Sequence, residues 1–336
     1  MTTIAVDAMG GDHAPEVEVE GAVLAAREYG VKVLLVGQPD ILERHLSRHD
    51  TTGLPIEIVP AREVIAMDES PVKALRRKPD ASVRVTALQV RDAKAQGMVT
   101  AGNTGAAMAA VKMELGTLPG VDRPGLASVF PTKQGTAAVM VDVGANVDCK
   151  PQHLQQFAIM GEVYYRVMFG VQRPRVGLLS IGEEPGKGNE VVRETHRRLK
   201  ESPLSFDFVG NVEGRDVFGG DVHVVVCDGF IGNVALKISE GMVEAIIAML
   251  KEAMSSNLSA QVGYVLSRQA YDEFKKRLDY SEYGGAPLLG VKGVCVICHG
   301  RSNSNAIKNA IRVAAGFSAG RINEKIEREL ALVAAK

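Results

Sequence analysis

The chain has no apolar run approaching the roughly 20 residues that a bilayer-spanning helix needs, and it has only four cysteines in 336 residues. Cys149, Cys227, Cys295 and Cys298 are too few and too scattered to form a disulfide scaffold. Charge of one sign is lacking too. Lysine plus arginine number 39 and aspartate plus glutamate 40, a net charge of −1. That balance gives no general attraction to nucleic acid or to an anionic membrane, so only local patches can act electrostatically. The first residues enter a strand-like segment, Ile4–Val6, without a basic stretch followed by a long apolar core. No secretory leader is expected, and the expected compartment is the cytoplasm. Internal repeats, low-complexity linkers and compact metal-ligand clusters are all missing, and no cofactor is expected.

What is present is an ordinary soluble composition, 46% apolar and 24% charged, with 35 glycines concentrated in particular loops. Seven short β-rich runs end in loops rich in glycine, asparagine or acid: Ile4–Val6, Gly97–Val99, Ala137–Val141, Val176–Ser180, Phe206–Val209, Val222–Val226 and Val294–Ile297. Near-continuous apolar runs suit strands buried on both faces. The segments Val17–Tyr29, Ala81–Gln96 and Leu154–Met168 read as helices between them. Such alternation predicts an α/β sandwich with a mostly parallel sheet, either one large unit over 1–336 or two lobes. Loops at the carboxyl ends of such strands commonly converge on a ligand crevice. The stretch Val234–Met254 has a broad apolar surface (Val234, Ile238, Met242, Ile246, Met249), which fits either an intramolecular core helix or a homodimer bundle. Asn257–Ala270 reads as an apolar loop or short helix able to touch a membrane surface, with ordinary packing the commoner outcome.

Several familiar motifs fail on inspection. Cys295-Val-Ile-Cys298-His299 matches haem-attachment spacing, but both cysteines sit in a β-rich run. Gly186-Lys187-Gly188-Asn189 is no nucleotide-hydrolysing loop, because position 181 is isoleucine and Gly188 replaces the required hydroxyl residue. No strand-turn serine elbow or cysteine–histidine pair supplies a covalent nucleophile.

The surviving candidates all suit an anion. Gly102, Asn103, Thr104 and Gly105 lie between a strand-like run and the helix-like Ala107–Leu115, where first-turn amides can face phosphate. Capping of that helix is the plainer role. Lys187 can neutralise phosphate, with Glu183 or Glu184 positioning it. Asn233 offers a donor without adding negative charge. Asp142 and Asp228 either orient a cation or fix their own turns. His13, Asn146, Asp228 and Ser302 are further candidates for substrate contact, and His299 for an anion or a leaving sulfur.

Taken in order, Asp7–Asp12, Thr100–Ala106, Asp142–Asn146, Leu178–Glu184 with Lys187–Asn189, Gly210–Asp216, Asp228–Asn233 and Tyr283–Val291 resemble the PlsX family, bacterial acyl-acyl-carrier-protein:phosphate acyltransferases. The resemblance extends over nearly the whole chain. It implies an isocitrate/isopropylmalate-dehydrogenase-like three-layer α/β/α fold and transfer of a fatty acyl group from acyl carrier protein to inorganic phosphate for phospholipid biosynthesis. It also implies a homodimer and peripheral membrane association beside a downstream membrane acyltransferase, with 234–280 as the helical dimerisation and membrane-contact segment. Two other activities stay open: a short-chain enzyme using acyl-coenzyme A, and a noncatalytic scaffold. For the implied reaction, hydrogen phosphate is already a nucleophile near neutral pH, so positioning and oxyanion donors can supply most of the rate. Asn103, Thr104, Lys187 and Asn233 are the expected phosphate or oxyanion contacts, with Asn146 and His299 next.

An acidic carrier protein needs cations to dock on, and two groups qualify: Arg193, Arg197, Arg198 and Lys200, and Lys275, Lys276 and Arg277. Raising salt should weaken carrier binding in a titration of labelled carrier; binding that ignores ionic strength would reject electrostatic docking.

Overall fold

In the computed structural model, which describes residues 1–202 and 206–334, the apolar runs are strands whose successive side chains enter opposite layers. Ile4 and Val6 of β1 (Thr3–Asp7) enter one core and Ala5 another. The same alternation splits Val99 from Met98 in β4 (Gly97–Thr100) and Val294 and Val296 from Cys295 and Ile297 in β11 (Val294–Ile297). It also splits Val139 and Val141 from Met140 in β6 (Ala137–Val141), and Val224 and Val226 from Val225 in β9 (Val224–Val226). A period of two with both phases apolar requires helices on both faces.

One face is covered by α1 (Glu16–Tyr29), α2 (Pro39–Leu46), α6 (Pro151–Phe169), α7 (Glu190–Glu201), α10 (Ser304–Ala319) and α11 (Ile322–Ala334). The other is covered by α3 (Pro71–Arg77), α4 (Ser82–Arg91) and α5 (Thr104–Glu114). This is the expected three-layer sandwich, and the first core runs without a break from β1 to β9. The helix read as Ala81–Gln96 ends early, at Arg91, because Ala93 takes a positive φ of 56° in the turn that leads into β4.

The remaining strands are β2 (Lys32–Gly37), β3 (Ile56–Pro60), β5 (Gly125–Pro131), β7 (Arg175–Leu179), β8 (Asp207–Val212) and β10 (Ala286–Leu289). The sheet order is β3-β2-β1-β4-β11-β10-β5-β6-β9-β7-β8. The first five strands are mutually parallel. Each step from β11 to β10, β10 to β5 and β5 to β6 is antiparallel, after which β6, β9, β7 and β8 are again parallel. The second block therefore runs opposite to the first. The seven glycine-rich loops are therefore divided: three follow the first block and four the second. Twist of roughly 20–25° per strand accumulates to about 100–125° between β4 and β9.

Beyond the sandwich stands a helical hairpin, α8 (Gly229–Ser255) and α9 (Leu258–Leu278). Only Gly229 and Gly232 of α8 are buried, and no residue of α9 is. Ile238, Met242 and Met249 are 63%, 57% and 68% exposed. Among the described residues nothing covers this stripe, so the intramolecular-core reading of the segment is overturned, and Asn257–Ala270, within α9, is likewise left uncovered by them. Among the described residues no helix is long and apolar enough to cross a membrane.

Candidate active site

Three loops of the first block are stacked on one another. The Asp7 carboxylate, 1% exposed at the end of β1, accepts from Thr100 Oγ1 at 2.8 Å, and that hydroxyl accepts from the Gly102 amide at 3.1 Å. Gly10 lies so close to Gly102 that a side chain there would meet the Gly102 backbone at 2.9 Å. The Asp12 amide donates to the Gly300 carbonyl at 2.8 Å, joining the β1 turn to the loop after β11. Behind the Gly10–Gly11 turn sits Glu18 of α1, fully buried, with no well-formed hydrogen bond to either carboxylate oxygen and only the Gly11 amide and its own nearby. Burial pushes its carboxyl up to about 8, and nearby Asp7 and Asp12 add to the shift.

The second block builds its floor differently. Asp142, fully buried at the end of β6, accepts from the amides of Leu126, Gly144, Ala145 and Asn146 at 2.7–3.1 Å, and from Asn146 Nδ2 at 2.8 Å. Burial raises its pKa, and those donors oppose the rise. The turn they fix holds Gly144 at φ 144°, against the side chain of Asn233 in the first turns of α8. Beyond β9 is β7, whose following loop bears Lys187. Lys187 is exposed and makes no ion pair among the described residues. Strands β6, β9 and β7 are adjacent, so their ends span about 10 Å.

α8 connects the two blocks. It leaves β9 at Gly229, and about 16 Å farther along Glu240 accepts from His299 Nε2 at 2.8 Å and from Lys237 at 3.0 Å, with Arg301 at 3.8 Å. Burial alone would raise the Glu240 carboxyl, but the hydrogen bonds from His299 and Lys237 outweigh it and hold it at about 2. Arg301 also pairs with Glu244 at 2.8 Å. The loop after β11 thus touches the helix that carries Asn233.

Several expected contact residues turn out to be committed to the fold. Asn103 caps α5, its Oδ1 accepting from the Ala106 amide at 3.0 Å, while Nδ2 donates to the Met67 carbonyl at 2.9 Å. Asp228 caps α8 in the same way through Ile231. Asn146 spends its side chain on Pro124 and Asp142. Glu183 pairs with Arg215 at 2.6 Å rather than with Lys187. Ser302 is buried in the turn after His299, and His13 is exposed in the turn before α1. That leaves Lys187, Asn233, exposed Thr104 and the first-turn amides of Thr104 and Gly105 facing outward, with Gly102 supplying close backbone approach. Cys295 and Cys298 are buried thiols pushed up to about 12 by burial, as a strand reading requires. Two shallow cavities of about 340 and 360 Å³ flank α11 and contain none of these residues.

Sequence reasoning missed Glu18 and Glu240. Glu18 shares a face with Ala22, Ala25 and Ala26, so an acid interrupting a small-residue stripe was the available signal. Glu240 had none, since its partners lie about 60 positions away in sequence.

These features define a three-layer α/β sandwich with glycine- and amide-rich loops at its strand ends. The fold is shared with a phosphotransacetylase from Streptococcus pyogenes, 16% identical over 95% of this chain and 94% of that one, with a TM-score of 0.63. It is shared also with a 4-hydroxythreonine-4-phosphate dehydrogenase from Klebsiella pneumoniae, with a TM-score of 0.53, 12% identical over 94% and 99% of the two chains. The family model described as "Fatty acid synthesis protein" matches residues 2–325. A "Phosphate acyltransferase" of Koribacter versatilis is 61% identical over 340 residues, 99% of this chain and 94% of that protein. The chain belongs to this family, the PlsX family of phosphate acyltransferases.

Replacing Asp142 by alanine removes the acceptor of four amides. The expected cost is at least about 3 kcal/mol, since each stranded buried donor costs about 1–3 kcal/mol. Urea unfolding measures it; a midpoint within error of the parent would show that the turn does not depend on the carboxylate.

Proposed function

We propose that the protein transfers a fatty acyl group from acyl carrier protein to inorganic phosphate, giving acyl phosphate for phospholipid synthesis. One observation carries the reading: Lys187 and Asn233 are exposed and uncommitted at the ends of neighbouring strands, while most polar residues around them are spent on the fold. A dianion fits there. Lys187 supplies charge, and Asn233, Thr104 and the amides at the start of α5 supply directed donors.

A phosphate oxygen attacks the thioester carbonyl, forming a C–O bond. The tetrahedral oxyanion collapses and breaks the C–S bond. The hydrogen phosphate's own proton ends on the departing thiol, so no strong base is needed. Preorganised donors stabilise the oxyanion, each worth about 2.7–4 kcal/mol in comparable sites. His299, whose Nε2 is held by Glu240, is the candidate on the loop after β11 for interaction with the leaving sulfur.

The uncovered faces of α8 and α9 support a homodimeric four-helix bundle, with the hairpin tip (Leu258, Val262, Val265, Leu266) as a peripheral membrane contact. For carrier docking, Arg197 and Arg198 are already neutralised by Glu194 and Glu201, whereas Lys275, Lys276 and Arg277 pair with no acid among the described residues. The second group is the better surface.

Purified protein given carrier-protein thioester and phosphate should release acyl phosphate and free carrier thiol. Equal or better turnover of coenzyme A thioesters would reject the donor assignment, and no turnover of either would reject the activity. Lys187→Ala should raise KM for phosphate at least about tenfold, as loss of a charge-assisted bond of about 1.5–3 kcal/mol predicts, with the melting temperature unchanged. Ile238→Asp with Met242→Asp should convert the protein to monomer in sedimentation velocity; a persistent dimer would place the interface elsewhere.

A further inference from the structure

Glu18 is the most weakly held of the buried acids Asp7, Glu18 and Asp142. Asp142 collects five donors and Asp7 has the Thr100 hydroxyl, whereas fully buried Glu18 has no well-formed hydrogen bond and only the backbone amides of Gly11 and of Glu18 itself within weak reach. Its Oε1 abuts Gly11 so closely that any side chain at Gly11 would collide with it. The ionisable groups facing it are Asp7 from β1, Asp12 from the turn itself and Cys298 from the end of β11. An isolated buried carboxylate is strongly disfavoured, and acidic neighbours worsen it. The neutral acid is therefore the resting form at neutral pH.

The Gly10–Gly11–Asp12 turn lies between Glu18 and the Gly102 and Gly300 turns. We propose that Glu18 is a positioning residue for phosphate: as the neutral acid it seats the Gly10–Gly11 turn for an anion, and as the carboxylate it repels that anion. This rests on the reading that the cleft binds phosphate. Its consequence is reciprocal, because a ligand that prefers the protonated form must itself favour protonation. Phosphate binding near pH 8 then takes up protons on Glu18.

The test compares the parent with Glu18→Gln, a neutral isostere. In the parent, KM for phosphate should rise at least about fivefold between about pH 7.5 and 9.5, the low end of typical coupling, with kcat changing less. In Glu18→Gln that rise should vanish. Calorimetric titration of inorganic phosphate at about pH 8, in buffers of different ionisation enthalpy, should show proton uptake in the parent beyond that in the variant. This readout needs no turnover, and the parent measurement stands even where the variant folds poorly. A variant with the parent's alkaline rise and the parent's proton uptake overturns the proposal. So does a parent that binds phosphate and makes acyl phosphate with a flat KM. A parent that binds no phosphate at all removes the functional reading, and the role of Glu18 with it.

Discussion

Strand direction flips in the middle of the sheet, at β10 and β5, and the cleft depends on where that flip falls. Parallel strands present their carboxyl ends together, so an all-parallel sheet would align the loops on one edge. Here the two parallel blocks point opposite ways, with the twist of several strand steps between them. The arrangement then needs a strut. α8 provides it, rooted by Asp228 and the Asp142 turn at one end and tied through Glu240 to His299 and Arg301 farther along.

Facing loops with different floors give the cleft a polarity. The first block rests on Asp7 and Glu18, acids held away from the surface by burial. The second rests on Asp142, whose charge is absorbed by its own turn, and it presents Lys187 and Asn233 outward. Coulomb interactions in a partly buried site are several-fold stronger than in water, so this asymmetry of charge is felt most where solvent is least.

Much of this was legible in the sequence because the period of two and the glycine-rich strand ends survive as local patterns. The strands from Ile4, Gly97, Ala137 and Val294 fall where their apolar runs lie, within a residue at each end. Local chemistry also gives some of the candidate site residues a structural role. Asn103 and Asp228 stand immediately before a helix, where an oxygen three residues ahead of a free amide makes a cap. That preference competes with ligand contact at the same residue types. What the sequence did not hold was long-range: the opposed blocks, the Glu183–Arg215 pair that frees Lys187, and the meeting of Glu240 with His299.

The hairpin of α8 and α9 has its backbone hydrogen bonds but almost no side-chain burial of its own. A helix without tertiary contacts is marginal in water, so in a lone chain this segment opens at little cost while the sandwich stays closed. Glu240 and Asn233 belong to the same helix, so whatever clasps the hairpin from outside also steadies the link between the two blocks. Rigidity between the blocks becomes, in part, a property lent by the surroundings.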